Sequence, residues 1–121
     1  MKNIFSILFI SLFFVNCNSQ EGENTISTIE LKALLNKEKI QFVDIRTPRE
    51  IDNGFIKGAL FVDFFDNNFT QKIIKKLDKN KPVYLYCRSG NRSGKAAKIL
   101  QEKGFKAYNV IGGYNQWKKE N

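Results

Sequence analysis

Histidine is absent from the 121 residues of this chain. No imidazole can serve as general base, proton shuttle or metal ligand, so the commonest side chain for chemistry near neutral pH is excluded. Cysteine is scarce, with two in all, Cys17 and Cys87. One lies in the amino-terminal segment and the other in the body of the chain, so the folded domain has no internal disulfide and Cys87 is a free thiol. Acidic residues are outnumbered, 12 against 20 Lys and Arg, for a formal charge of +8. Lysines scattered through 72–81 and 95–119 supply much of that excess, the pattern of a solvated face. No nucleic-acid recognition motif accompanies them, so nucleic acid is not an expected partner, while the positive field still draws in small anions. Internal repeats and low-complexity tracts are also missing, and the length allows one ordinary domain and little else.

A long apolar run is missing too. The run from Ile4 to Val15 (IFSILFISLFFV), just after Lys2, is too short to cross a bilayer comfortably and has the length of a secretory signal. Residues 1–16 are therefore expected to be a signal peptide. Residues 17–23 form a polar, flexible tether and residues 24–121 a folded domain.

What is present in quantity is chemistry in one short stretch, Cys87 to Ser93, read as CRSGNRS. The preceding Pro82–Tyr86 (PVYLY) is apolar and β-prone, and the following Gly94–Lys103 (GKAAKILQEK) is rich in helix formers, so a loop is expected to join a strand to a helix. A helix starting there turns unpaired N–H groups and the positive end of its dipole toward whatever the loop encloses. With Arg88 and Arg92 adjacent, those groups favour thiolate over thiol at Cys87. A buried structural cysteine at a strand end is the competing reading, but it needs neither flanking arginines nor a glycine-permissive loop.

The rest of the chain alternates. Ser27-Thr28-Ile29-Glu30 is a capping box opening a short helix, and Ile40–Asp44 is a strand. Thr47-Pro48-Arg49-Glu50 repeats the capping pattern with proline at the first helical position, and Gly54 ends that helix. Ala59–Phe64 is strand-like, Phe69–Leu77 an amphipathic helix, and Lys106–Val110 a strand after a helix stop at Gly104. Gly112-Gly113 then turns into a last helix carrying Trp117. This order predicts an α/β fold, a mainly parallel central sheet with helices on both faces, in which ligands bind beyond the carboxyl ends of the strands, where Cys87 lies.

Taken together, CRSGNRS, the upstream VDIRTPREIDNGFIKGA (Val43–Ala59) and the downstream NVIGGYNQW (Asn109–Trp117) resemble a single-domain rhodanese, a sulfurtransferase module. The resemblance implies that Cys87 attacks the sulfane sulfur of thiosulfate or a related anionic donor, releases sulfite and holds a persulfide, which a thiol, cyanide or a protein acceptor then discharges. Backbone N–H groups from Arg88 through Ser89, Gly90, Asn91 and Arg92 to Ser93 would stabilise the persulfide, and Arg88 and Arg92 would bind the anionic end of the donor. Asp44, Arg46 and Glu50 match framework positions, and Gly112, Gly113 and Trp117 a tight turn and core packing. No metal or organic cofactor is implied. The chain departs from the family at Phe55, where histidine is common. Cys17, directly after the apolar run, resembles the acylated cysteine of bacterial lipoproteins, although Phe14 and Asn16 stand where leucine and a small residue are usual. That likeness implies an exported, periplasmic protein tethered to a membrane by lipid on Cys17.

Three rivals remain. A cysteine-dependent phosphatase has five residues between its cysteine and arginine, against the four of Arg88–Asn91, and a histidine where this chain has Tyr86. A non-catalytic binding module of the same fold would need neither Cys87 nor the loop arginines. A carrier taking sulfur from a protein persulfide would look the same as a thiosulfate enzyme.

Overall fold

The computed structural model describes residues 24–121. The expected signal peptide, tether and lipidation site at Cys17 lie outside the described residues. Five strands, β1 (Thr25–Ile26), β2 (Gln41–Asp44), β3 (Leu60–Phe61), β4 (Val83–Tyr86) and β5 (Ala107–Val110), form one sheet in the order β1-β5-β4-β2-β3. Every pairing is parallel. The helices are α1 (Thr28–Lys37), α2 (Pro48–Asp52), α3 (Phe69–Lys76), α4 (Asn91–Glu102) and α5 (Gly113–Glu120). The α/β expectation is met, with helices on both faces.

The alternation of side chains along β4 divides the core. Val83, Leu85 and, one residue past the strand, Cys87 point to the face covered by Phe69 and Ile73 of α3 and Ala96, Ala97 and Leu100 of α4. Tyr86 points to the other, with Phe42, Leu31 of α1, Val110 and the partly buried Tyr114 and Trp117 of α5. Because β4 is central and fully paired, its carboxyl end is held from both sides, by Asp44 in register with Tyr86 and by Asn109 in register with Leu85.

Both expected capping boxes are present, Ser27 with Glu30 and Thr47 with Glu50, and they start α1 and α2. Three elements differ from expectation. Strand β1 has only two residues and was not foreseen, since so short a segment has no periodicity to read. The strand expected over Ala59–Phe64 is reduced to Leu60–Phe61, because Asp63 and Asp66 accept the backbone N–H groups of Phe65 and Asn68 at 2.9 and 2.8 Å and turn the chain out of the sheet. Helix α4 begins at Asn91 rather than Gly94: Gly90, at φ +104°, ends the loop, and its carbonyl already accepts the Gly94 N–H at 3.1 Å. Asn91, Arg92 and Ser93 therefore belong to the first helical turn.

Candidate active site

A surface depression of about 500 Å³, lined by Gln41, Pro82 and Tyr84 among others, lies at the amino ends of β2 and β4. It is at the opposite end of the sheet from Cys87 and holds no nucleophile. The chemistry gathers at the carboxyl ends, as expected of an open parallel sheet.

Cys87 is only 1% exposed. The expected strand-to-helix loop is at the surface, with Arg88 and Ser89 exposed, but the thiol itself is packed into the core as the floor of the loop. Its sulfur accepts the Gly90 N–H at 3.1 Å, and Ser93 Oγ lies 3.4 Å away. Burial pushes the thiol pKa up, but hydrogen bonding from the Ser93 hydroxyl and amide and from the Gly90 and Ser89 amides outweighs it, leaving the pKa below its ordinary value. A thiol pKa held down by donors suits a nucleophile, and a packing cysteine has no use for it.

The loop is fixed from below. The first amides of α5, those of Tyr114 and Asn115, donate to the carbonyls of Cys87 and Arg88 at 2.8 and 3.0 Å. Gly113 permits that approach, since a Cβ there would stand 2.5 Å from the Cys87 carbonyl oxygen. Asn109 reaches across from β5, its Nδ2 donating to the Gly90 carbonyl at 3.1 Å and its Oδ1 lying 2.6 Å from Ser93 Oγ.

The framework residues form two ion pairs. Arg46 donates from Nε and Nη2 to the Asp44 carboxylate at 2.9 and 2.7 Å, and from Nη2 to the Gly54 carbonyl at 2.8 Å, with its guanidinium 4.3 Å from the Tyr114 ring centre. Arg92 donates from both terminal nitrogens to Glu50, at 2.9 and 2.8 Å, and lies 5.5 Å from the exposed Phe65 ring. Arg92 thus meets a carboxylate before any donor arrives. Arg88 makes no ion pair among the described residues and lines a cavity of about 180 Å³ with Asn53, Tyr114, Asn115 and Lys118.

Arg92 holds the Glu50 carboxyl down at about 2, against roughly 4.3 for an ordinary glutamate. With the folded value below the unfolded one, the stability this group contributes is present above the ordinary pKa and lost as pH falls through the folded one. Glu50→Gln should be less stable than the parent at neutral pH, and the difference in urea midpoint should close between about pH 5 and pH 2. A difference constant across that window would mean that the Arg92 pair is not its source.

Sequence reasoning missed Asn109 as part of the site, although it quoted the residue in the downstream motif. The available signal was an amide in a short, otherwise apolar strand next to the glycine turn. It also missed Tyr86, whose buried hydroxyl accepts the Ile56 N–H at 3.0 Å and ties the helix-exit segment to the strand end.

A parallel sheet with a single thiol at the end of its central strand, cradled by the amides of a loop that runs into a helix, defines a cysteine-loop α/β domain. Within that class the chain belongs to the rhodanese-like family: residues 27–120 match the rhodanese-like domain. The thiosulfate sulfurtransferase GlpE of Coxiella burnetii is 36% identical over 94 residues, covering 77% of this chain and 85% of that protein. A rhodanese-like domain protein from Staphylococcus aureus superposes with a TM-score of 0.71 at 34% identity, over 78% of this chain and 90% of that one. A rhodanese-related protein from Thermoplasma volcanium gives 0.72 at 26% identity, over 81% and 93%.

Proposed function

We propose that this protein is a sulfurtransferase that carries sulfane sulfur as a persulfide on Cys87, taking it from thiosulfate or a related anion. The observation that carries the reading is the buried Cys87 sulfur held 3.1 Å from the Gly90 amide at the start of α4. The thiolate attacks the sulfane sulfur. A new S–S bond forms to Sγ, the old sulfur–sulfur bond breaks, and its electron pair leaves with sulfite. The amides that favour thiolate also stabilise the terminal sulfur of the persulfide. A thiol, cyanide or protein acceptor then attacks that sulfur, and the Cys–S bond pair returns to regenerate the thiolate. Arg88, uncommitted beside its cavity, is the better placed of the two arginines to meet the sulfonate end. Arg92 supports the cradle through Glu50.

A carrier role, with a protein persulfide as donor, rests on the same residues. The leader pattern and Cys17 support an exported, periplasmic protein held at a membrane by lipid. Radiolabelled palmitate incorporated by the parent and lost in Cys17→Ser would establish the anchor, and no label in the parent would end that reading.

The chemical test is intact mass of the Cys17→Ser chain, whose sole thiol is Cys87, before and after thiosulfate. The mass should rise by one sulfur atom, cyanide should discharge it as thiocyanate, and the further change Cys87→Ser should abolish the gain without loss of fold. If thiosulfate adds nothing but a protein persulfide does, the carrier reading replaces the thiosulfate one. If neither adds sulfur, sulfur transfer is wrong.

A further inference from the structure

Ser93 has one hydroxyl proton and two neighbours placed to take it. Its Oγ lies 2.6 Å from Oδ1 of Asn109 and 3.4 Å from the Cys87 sulfur. The orientation of the Asn109 amide is not free, because its other end lies 3.1 Å from the Gly90 carbonyl oxygen, which can only accept. The NH₂ group must face Gly90 and the amide oxygen must face Ser93. That oxygen also only accepts, so Ser93 is the donor in the shorter bond. Its proton cannot point at the sulfur at the same time. In this arrangement Ser93 offers Cys87 a lone pair, which suits a thiol donating S–H and opposes a thiolate.

We infer that Asn109 is a positioning residue that competes with the Cys87 sulfur for the Ser93 hydroxyl proton and so keeps the nucleophile harder to ionise than it would be with that hydroxyl free to donate to it. When the thiol loses its proton to solvent, the Ser93 hydroxyl must turn from oxygen to sulfur and leave the Asn109 oxygen without its short partner. The ease of ionisation is therefore set from the neighbouring strand, by a side chain that does not touch the sulfur. The charged groups around the loop include Arg92, which interacts with the thiol and is paired with Glu50, the buried Asp44–Arg46 pair at the end of β2, and Arg88 in the loop itself. None of them hydrogen-bonds to Ser93 or Asn109, so they form a common background for variants at these two positions.

The consequence for turnover rests on the sulfur-transfer reading, but the consequence for thiol titration does not. The test therefore uses no sulfur donor: the rate of iodoacetamide alkylation of the Cys17→Ser chain is followed against pH. Asn109→Leu keeps the shape and removes the acceptor, while the Gly90 carbonyl keeps its bond from the Gly94 amide. It should lower the apparent thiol pKa by about one unit, roughly tenfold in the ionisation constant. Loss of polarity alone would raise it, so the direction separates the two causes. Ser93→Ala added to that variant should reverse the drop. Asn109→Asp, which keeps an acceptor and adds charge, should move the pKa up. Asn109→Ala, which cannot overpack, gives the same sign as leucine should the leucine variant fail to fold. An unchanged or raised pKa in the leucine and alanine variants, or a drop that Ser93→Ala does not reverse, would overturn the inference.

Discussion

Gly113→Ala is expected to destabilise the fold by about 2 to 5 kcal/mol and to open the thiol loop in whatever remains folded. At φ +56° an alanine already costs about 1 to 2 kcal/mol, but that is the smaller part. The new Cβ would stand 2.5 and 2.7 Å from the carbonyl oxygens of Cys87 and Arg88, well inside van der Waals contact. Both atoms are backbone, so no side chain can swing aside. The amino end of α5 must retreat, and the bonds from the Tyr114 and Asn115 amides to those same carbonyls go with it, each worth about 0.5 to 1.5 kcal/mol. Against a typical total stability of about 5 to 15 kcal/mol, such a loss can unfold a domain of this size at moderate temperature. Gly90→Ala is the control: its φ of +104° strains an alanine as well, but the nearest atom to its Cβ is the Gly112 nitrogen at 3.4 Å, an approach that small shifts relieve. Urea unfolding should place Gly113→Ala clearly below Gly90→Ala. If the two lose equally, dihedral strain rather than the approach of α5 to the loop sets the cost.

The contrast between those two glycines shows what could be read from the sequence and what could not. The alternation of strands and helices, the capping boxes at Ser27 and Thr47 and the strand-to-helix loop at Cys87 are local patterns, and each is present, with the strand after Ala59 shortened and the helix after the loop starting early at Asn91. What a linear reading does not carry is which distant groups meet. Glu50 was legible as the third helical residue of a capping box, and it fills that role. Its carboxylate also holds Arg92, 42 positions away, a second use that capping statistics do not encode. The glycine pair at 112 and 113 was legible as a turn. That its second member clears the way for α5 to grip the carbonyls of Cys87 and Arg88 depends on the sheet order, which brings the end of β5 beside the end of β4. Burial of the thiol was not legible for the same reason: a loop residue one step past a strand keeps the strand's alternation, and at Cys87 that alternation points inward.

The second large effect is at the base of the site. Asp44 is fully buried and Arg46 is 3% exposed, so each supplies the charge that balances the other in the core. Truncating either leaves an isolated charge in the core, and Asp44→Ala or Arg46→Ala should each cost about 3 to 5 kcal/mol. The arginine that remains in Asp44→Ala would keep the Gly54 and Glu50 carbonyls and the Tyr114 and Tyr86 faces, none of which carries a countercharge. The aspartate that remains in Arg46→Ala would keep the backbone N–H of residue 46 but no cation. Removing both charges is different, because the desolvation penalty disappears with them: Asp44→Leu with Arg46→Met should be no worse than either single truncation and far better than their sum. A double-mutant cycle in urea built on Asp44→Leu, Arg46→Met and the two together reads the coupling directly. Near-additive losses would mean that the two side chains contribute independently through packing. Strong sub-additivity would identify the pair as a locked unit beneath Tyr86, the residue after which the chain delivers its thiol. Because Asp44 lies in register with Tyr86 and the Ile45 amide donates to the Tyr86 carbonyl at 3.0 Å, the apolar double variant should keep the strand end in place and retain alkylation of Cys87 at close to the parent rate. The single truncations, if they fold, should not.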